Sequence, residues 1–317
     1  MASYLVRRAA WLALALLGVS VVTFALGVLA PGDPAEVVVE RRLNQPPPQE
    51  MVEEERRILG LDRPIPQQYL TWLGRAVRGD LGRSWLRELR VSDALRQRAP
   101  RTAVLAAAAA GLSIVIGVPL GVLSAARRNS AADHLCRFVA LVGASIPSYF
   151  AAYLLIFVFA VTFRAAPAFG FGSLAHLVLP AVTLALGPAS TLSRLTRSSV
   201  LEVLGEDYVR TARAKGLRPV GVLFSHALRN ALVPILTVTG LSLGHLLGGA
   251  IAVETVFAWP GLGDLAVGAI RDRDYPLIQG FVLLSGLAYV LLNFAIDLSY
   301  GWADPRIRAE TSSGGTR

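Results

Sequence analysis

The sequence of 317 residues contains one cysteine, Cys136, and one lysine, Lys215. A lone cysteine cannot close an internal disulfide, so no disulfide framework organises the fold, and Cys136 reads as a small apolar residue near a helix start. A phosphate-binding loop of the Gly-x-x-x-x-Gly-Lys-Ser/Thr type needs a lysine followed by a hydroxyl, whereas Lys215 is followed by Gly216. The chain therefore carries no such nucleotide site, and any ATP hydrolysis tied to it belongs to another chain. Of the four histidines, His134, His176 and His226 have no Glu-x-x-His partner or other ligand spacing, which argues against a metal site.

Charge is also scarce. Only 17% of residues are charged against 54% hydrophobic, with a mean hydropathy of +0.52, far more apolar than a soluble domain of this length. Formal charge is missing altogether from six stretches, 9–30, 102–126, 138–163, 174–193, 231–253 and 276–296. Each is close to the ~20 residues that span hydrocarbon as a helix. Lipid offers the backbone no hydrogen bonds, so each stretch must be a helix or a strand of a closed barrel, and runs this continuous lack the alternation of a barrel. The expected fold is an all-α integral membrane protein with six transmembrane helices. No acidic residue lies in mid-span, which disfavours an ion-coupled secondary transporter.

What charge there is has a pattern. The net charge of +9 comes from 31 basic and 22 acidic residues. In a chain with these spans such an excess belongs to cytoplasmic loops rather than to a nucleic-acid surface. With the N-terminus inside, 15 basic residues fall in short inner segments and only Arg164, Arg271 and Arg273 in the two short outer loops. The other 13 lie within 31–101, a loop long enough to escape the orientation rule. Both termini are then cytoplasmic. Arg7 and Arg8 before an apolar run resemble a signal peptide, but the run is too long for one, and Pro31 follows the only small-residue site, Ala30. The first span is therefore read as retained. In 31–101, the breaker run Pro46-Pro47-Pro48 is followed by helical spacing at Tyr69, Leu70, Leu73, Val77 and Leu81, which predicts short amphipathic helices on the outer face.

The inner segment 194–230 carries the strongest local signals. Asp207 is a suitable N-cap, Tyr208 to Lys215 are good helix formers, and Gly216 with Arg218-Pro219 is a stop. A second helix from Pro219 then presents Val220, Leu223, Phe224, Ala227 and Leu228 on one face as it runs into the fifth span. Two capped elements and the small residues Ala212 and Ala214 predict a bent helix pair that seats in a groove of another surface.

Within the spans, Gly240-Leu-Ser242-Leu-Gly244 matches the nucleophile-elbow pattern and raises an intramembrane hydrolase centred on Ser242, but it lacks the strand context. The same glycines with Gly248 form a ladder at every fourth residue, which lets helices approach closely in lipid, and Gly117 and Gly121 repeat the device. His245 in the fifth span, and Glu254, Asn293 and Asp297 towards the ends of the fifth and sixth, are candidate pathway residues. Each also has a plainer reading as an interhelical or helix-end hydrogen-bonding group.

The segment 206–217, Glu-Asp-Tyr-Val-Arg-Thr-Ala-Arg-Ala-Lys-Gly-Leu, followed by His226-Ala-Leu-Arg-Asn-Ala231, resembles the ATPase-docking signature of the dipeptide, oligopeptide and nickel permeases of ABC importers. Further matches run along nearly the whole chain: Pro31-Gly-Asp-Pro34, Leu59-Gly-Leu-Asp-Arg-Pro64, Gly79-Asp-Leu-Gly82, Ser145-Ile-Pro147, Gly249-Ala-Ile-Ala-Val-Glu254 and Asp304-Pro-Arg-Ile-Arg308. Against the general importer signature, Arg210 and Thr211 replace its first two residues and His226 and Arg229 depart from its last set, as is typical of the peptide branch. The resemblance is to the first, long-outer-loop permease of the pair, with the type I ABC importer permease fold. It implies coupling to ATPases through Asp207, Tyr208, Arg210, Thr211, Ala212, Ala214, Lys215, Gly216 and Leu217. It also implies a second homologous permease, two ATP-binding subunits or one fused chain, and an external substrate-binding protein. ATP and Mg would be held by the ATPases, with no cofactor on this chain, in a bacterial cytoplasmic membrane. The expected division is 1–30 for the N-terminal tail and first span, 31–101 for the extracytoplasmic loop, 102–308 for a five-helix core holding 194–230, and 309–317 for a cytoplasmic tail.

Overall fold

The computed structural model describes residues 2–29, 32–87, 89–218, 221–223, 228, 235, 238–240, 244, 246 and 250–303. Among the described residues the chain is helical, with an isolated bridge between Arg83 and Arg90. It divides into two units, Met1–Arg101 with Gly261–Arg317, and Thr102–Pro260. Among the described residues, four helices and one bent pair are long and apolar enough to cross a membrane.

In the first unit, α1 (Ala2–Val28) is followed by three short helices, α2 (Pro34–Leu43), α3 (Gln49–Leu59) and α4 (Ile65–Val77). The side chain of Asp33 accepts from Ala35 N–H to cap α2, and Asn44 and Gly60 close α2 and α3 in the left-handed conformation. These are the expected amphipathic elements, but the buried face of α4 differs from the expected one. Leu70 and Val77 are exposed. Tyr69 of the expected stripe turns inward against Phe24 of α1, with ring centroids 5.4 Å apart and its hydroxyl 2.8 Å from Ser20 Oγ, but its companion is Trp72, 5.9 Å from the same ring, rather than the aliphatic residues. Amphipathic rings bury a large body while keeping a polar tip bonded, so they outcompete the aliphatic stripe for the contact. After α4, Asp80 accepts from Gly82 N–H at 3.0 Å and from Arg75 Nε at 2.9 Å. The backbone donor first, then the guanidinium, hold its carboxyl below the usual carboxylate range.

Helix α10 (Leu262–Asp272) and helix α11 (Tyr275–Ala303) complete this unit, with the first turns of α5 (Val91–Ala126). Helix α11 packs along α1 where neither backbone has room for a side chain: a Cβ on Gly286 would lie 2.5 Å from Val19 Cγ1, and one on Gly27 would strike Gln279. Asp274, fully buried, binds the Ser84 hydroxyl, and Tyr275 meets Trp85 edge to face at 5.6 Å.

The second unit holds the rest of α5, then α6 (Ala131–Ser145), α7 (Ser148–Leu155) with a π-helical continuation Ile156–Thr162, α8 (Leu174–Leu204) and α9 (Asp207–Ala214). The stretch 138–163, expected as one span, is instead two helices bent by 107° at a break around Ile146 and Pro147. Pro147 has no N–H to continue α6 and disfavours helical geometry at Ile146, whose ψ of 124° is extended. Hydropathy reads apolar length and does not register such a break. It also marks where charge begins rather than where a helix ends. Thus α5 starts eleven residues before Thr102 and α8 continues past Ser193 through Arg194 and Arg197 to Leu204.

Helix α8 is the spine of this unit. Gly117 and Gly121 of α5 lie against it so closely that an added Cβ would be 2.6 Å from the Ala189 carbonyl oxygen and 2.5 Å from that of Ser193. Gly143 of α6 meets Ser190 Oγ in the same way, at 2.5 Å. The second-span glycines therefore do the packing work read from the sequence. The ladder Gly240, Gly244 and Gly248 cannot be judged likewise: Gly244 is buried, but Gly248 and most of 231–249 lie outside the described residues.

Candidate coupling site

The chain leaves α8 through a short, well-defined turn. Gly205 takes α8 out of its helix, and the Glu206 carbonyl accepts the amides of Val209 and Arg210 at 3.0 and 3.3 Å to begin α9. Asp207 is therefore not the N-cap expected from the sequence but the first helical residue. Its exposed carboxylate pairs with Arg210 at 3.3 Å one turn on, and its carbonyl accepts from Thr211 Oγ1 at 3.1 Å. A carboxylate there still favours the helix through its interaction with the N-terminal dipole. At the other end Gly216 has φ of +79°, as its role as a stop requires, and a Cβ there would meet nothing within 4 Å.

Among the described side chains of α9, one is buried and the others are exposed. Val209 is fully buried against Val222, Val203 and Leu204. Tyr208, Arg210, Thr211, Ala214, Lys215, Gly216 and Leu217 are all exposed. Tyr208 and Leu217 present large apolar groups at 44% and 47% of full exposure. Every residue singled out from the sequence whose side chain is described is thus exposed, and Val209, which was not singled out, provides the anchor. Ala212 is on the helix; the second helix expected from Pro219 falls mostly outside the described residues, apart from helical Gly221 to Leu223 and Leu228.

Two turns before the end of α8, a buried ion pair ties that helix to the rest of the unit. Asp133, with no exposed surface, takes Arg197 Nε at 2.9 Å and Nη2 at 2.8 Å. It also accepts from Ser124 Oγ at 2.5 Å and Asn129 N–H at 2.9 Å. The end of α5, the turn into α6 and the last third of α8 are therefore locked together by one carboxylate with all its acceptor sites in use. Sequence reasoning missed this cluster. The only available signal was an isolated acid, Asp133, among the basic residues of the inner segments.

Of the candidate pathway residues, two have described side chains. Glu254 is fully buried and takes a hydrogen bond from Thr102 Oγ1 at 2.6 Å, which fits internal anchoring. Asn293 donates back to the Tyr289 carbonyl at 3.0 Å. The Asp297 side chain, His245, Ser242 and His226 lie outside the described side chains. Among the described residues no group of His, Cys, Asp or Glu is arranged to hold a metal.

Residues 117–309, well over half the chain, match the family described as binding-protein-dependent transport system inner membrane component, and residues 1–106 match its N-terminal companion family. The chain belongs to this family. It is a multi-pass membrane permease of an ABC importer, a transport subunit and not an enzyme. A permease of this kind works with an ATPase and a substrate-binding protein. Among its relatives, the di/tripeptide transport system permease protein DppB of Pseudomonas aeruginosa is 41% identical, over 97% of this chain and 99% of that one. The oligopeptide transport system permease protein AppB of Bacillus subtilis and the dipeptide transport system permease protein DppB of Escherichia coli K12 are each 38% identical over the same shares. The inward-facing MetNI methionine ABC transporter shares the permease's fold, with a TM-score of 0.56 at 22% identity over 67% of this chain and 96% of that one.

Proposed function

We propose that the permease imports di- or oligopeptides, that it forms half of the translocation pathway with a second homologous permease, and that α9 is where ATPase motion enters. The observation that carries the coupling role is the geometry of α9: one buried anchor, Val209, beside described side chains that are otherwise exposed, on a helix whose exit is set by Gly216. A short helix with one buried anchor and exposed side chains beside it suits a groove on a partner. The peptide cargo is supported by relatives of 38–41% identity over nearly the full length, each named for peptide transport.

On this reading both termini and 194–230 face the cytoplasm of a bacterial cell, and 31–101 faces outward to meet the binding protein. The core 102–308 carries the pathway and 309–317 is a tail. Two ATP-binding subunits, or one fused chain, hold ATP and Mg, and this chain binds no cofactor. ATP binding closes the ATPases and moves α9. The Asp133–Arg197 clamp then carries that displacement from α8 to α5 and α6, and the pathway changes the side to which it opens. The test is uptake of a labelled dipeptide by the complete complex in proteoliposomes. Peptide uptake that depends on ATP and the binding protein is expected. Transport of nickel chelates with no peptide uptake would overturn the cargo.

A further inference from the structure

The break between α6 and α7 has an unusual setting. Helix α6 runs antiparallel to α8, as successive contacts show: Asp133 pairs with Arg197, and Gly143 lies against Ser190. Past the break, Ser148 and Ala151 of α7 share a cavity with Thr183 and Leu184. From Arg197 to Thr183 is fourteen residues of α8, about 21 Å of rise. The break is thus well inside the apolar stretch, and there the continuous helix α8 carries Pro188 within it. Proline has no N–H, so the carbonyl of Leu184 loses its helical donor at Pro188, just as the carbonyl of Gly143 loses its donor at Pro147. Both residues line the same cavity of about 200 Å³, together with Ser148 and Thr183. On α7, whose N-terminus has no side-chain cap, the amides of Ser148 and Tyr149 are also outside the helical ladder. Hydrocarbon cannot satisfy such groups, and irregular backbone at membrane depth persists only when buried in protein or lining water.

We propose that this cavity is a hydrated station on the solute's route. There the Gly143 and Leu184 carbonyl oxygens accept hydrogen bonds from the main-chain N–H groups of a passing peptide, a role that rests on the peptide cargo proposed above. Acceptors on two different helices can follow an extended chain without reading its side chains. The flanking small residues leave room for the chain to move on.

The test uses Ser148→Cys and Ala144→Cys, separately, in a Cys136→Ala background, with the complete complex in proteoliposomes and a charged methanethiosulfonate reagent. A thiol reacts as its thiolate, which lipid suppresses and water permits. Both cysteines are expected to react in at least one nucleotide state, about tenfold faster than when lipid-embedded, and to be slowed by saturating dipeptide. If neither reacts in any nucleotide state, although both react after denaturation, the break faces lipid or another chain and the proposal fails while peptide transport stands. Reaction that peptide does not slow, in a complex that transports peptide, also overturns it. Slowing by a non-peptide solute, without peptide uptake, would remove the cargo reading and leave the station.

Discussion

Gly216 isolates one physical effect. Its φ of +79° lies in the left-handed region and a Cβ would enter open space, so a substitution there meets conformational strain and no clash. Valine should cost roughly 1–2 kcal/mol locally and misdirect the chain leaving α9. Asparagine tolerates the left-handed region and should restore it. Gly216→Val is expected to abolish peptide-stimulated ATP hydrolysis by the assembled complex while Gly216→Asn retains most of it. Equal activity of the two would show that the turn geometry is irrelevant to coupling. Asp133 tests the clamp in the same assay. Asp133→Ala leaves Arg197 without its bidentate partner and should lower stability on the order of 3 kcal/mol. Ser124→Ala should cost only about 1 kcal/mol. The thermal midpoints of the purified complexes should fall in that order. Gly216 was legible because a stop signal needs only neighbouring residues. Asp133 was not, since its worth depends on Arg197, 64 positions away, and no local pattern announces that meeting.

At the scale of the helix, glycines on α5 divide by what lies opposite. An alanine at Gly121 would press its Cβ to within 2.5 Å of the Ser193 carbonyl, a backbone atom that cannot swing aside. Gly111, on the same helix, has nothing within 4 Å. Gly121→Ala should therefore destabilise the complex by about 1–3 kcal/mol. Gly111→Ala should be neutral or gain up to about 1 kcal/mol from helix propensity. Thermal unfolding in detergent checks both, and a similar loss from each would mean that close approach to α8 is not what Gly121 provides. The four-residue spacing of Gly117 and Gly121 made this contact readable in advance, as α-helical periodicity fixes which residues share a face. The α6–α7 break was hidden because the flanking residues are uniformly apolar. A motif containing Pro147 was recognised, yet its mechanical consequence depends on packing against α8. The inward turn of Trp72 in α4 was hidden for a related reason: spacing alone ranks aliphatic and aromatic faces equally, and only the neighbouring Phe24 decides between them.

For the whole molecule, the bent pair decides how the chain is threaded. A break of 107° could belong to a re-entrant loop that returns to its own side, and then every later segment would change sides. The contacts with α8 argue otherwise. Asp133 meets Arg197 and Gly143 meets Ser190, one step back along α8, and Ser148 and Ala151 border a cavity that reaches back to Thr183 and Leu184. A re-entrant segment would reverse that progression after Pro147, so the expected outcome is that α6 and α7 together make a single crossing. The loop around Asn129 and the loop after the π-helical turn must then face opposite sides, and α8 must return the chain to the side of Asn129, where α9 lies. In a Cys136→Ala background, cysteines placed at Asn129 and at Ala165, both exposed, should be labelled by an impermeant maleimide from opposite faces of oriented vesicles. A cysteine at Lys215 should be labelled from the same face as the one at Asn129. If Asn129 and Ala165 labelled from the same face, the pair would be re-entrant and the antiparallel register along α8 would need another explanation. The proposed cytoplasmic position of α9 would then have to be assigned afresh.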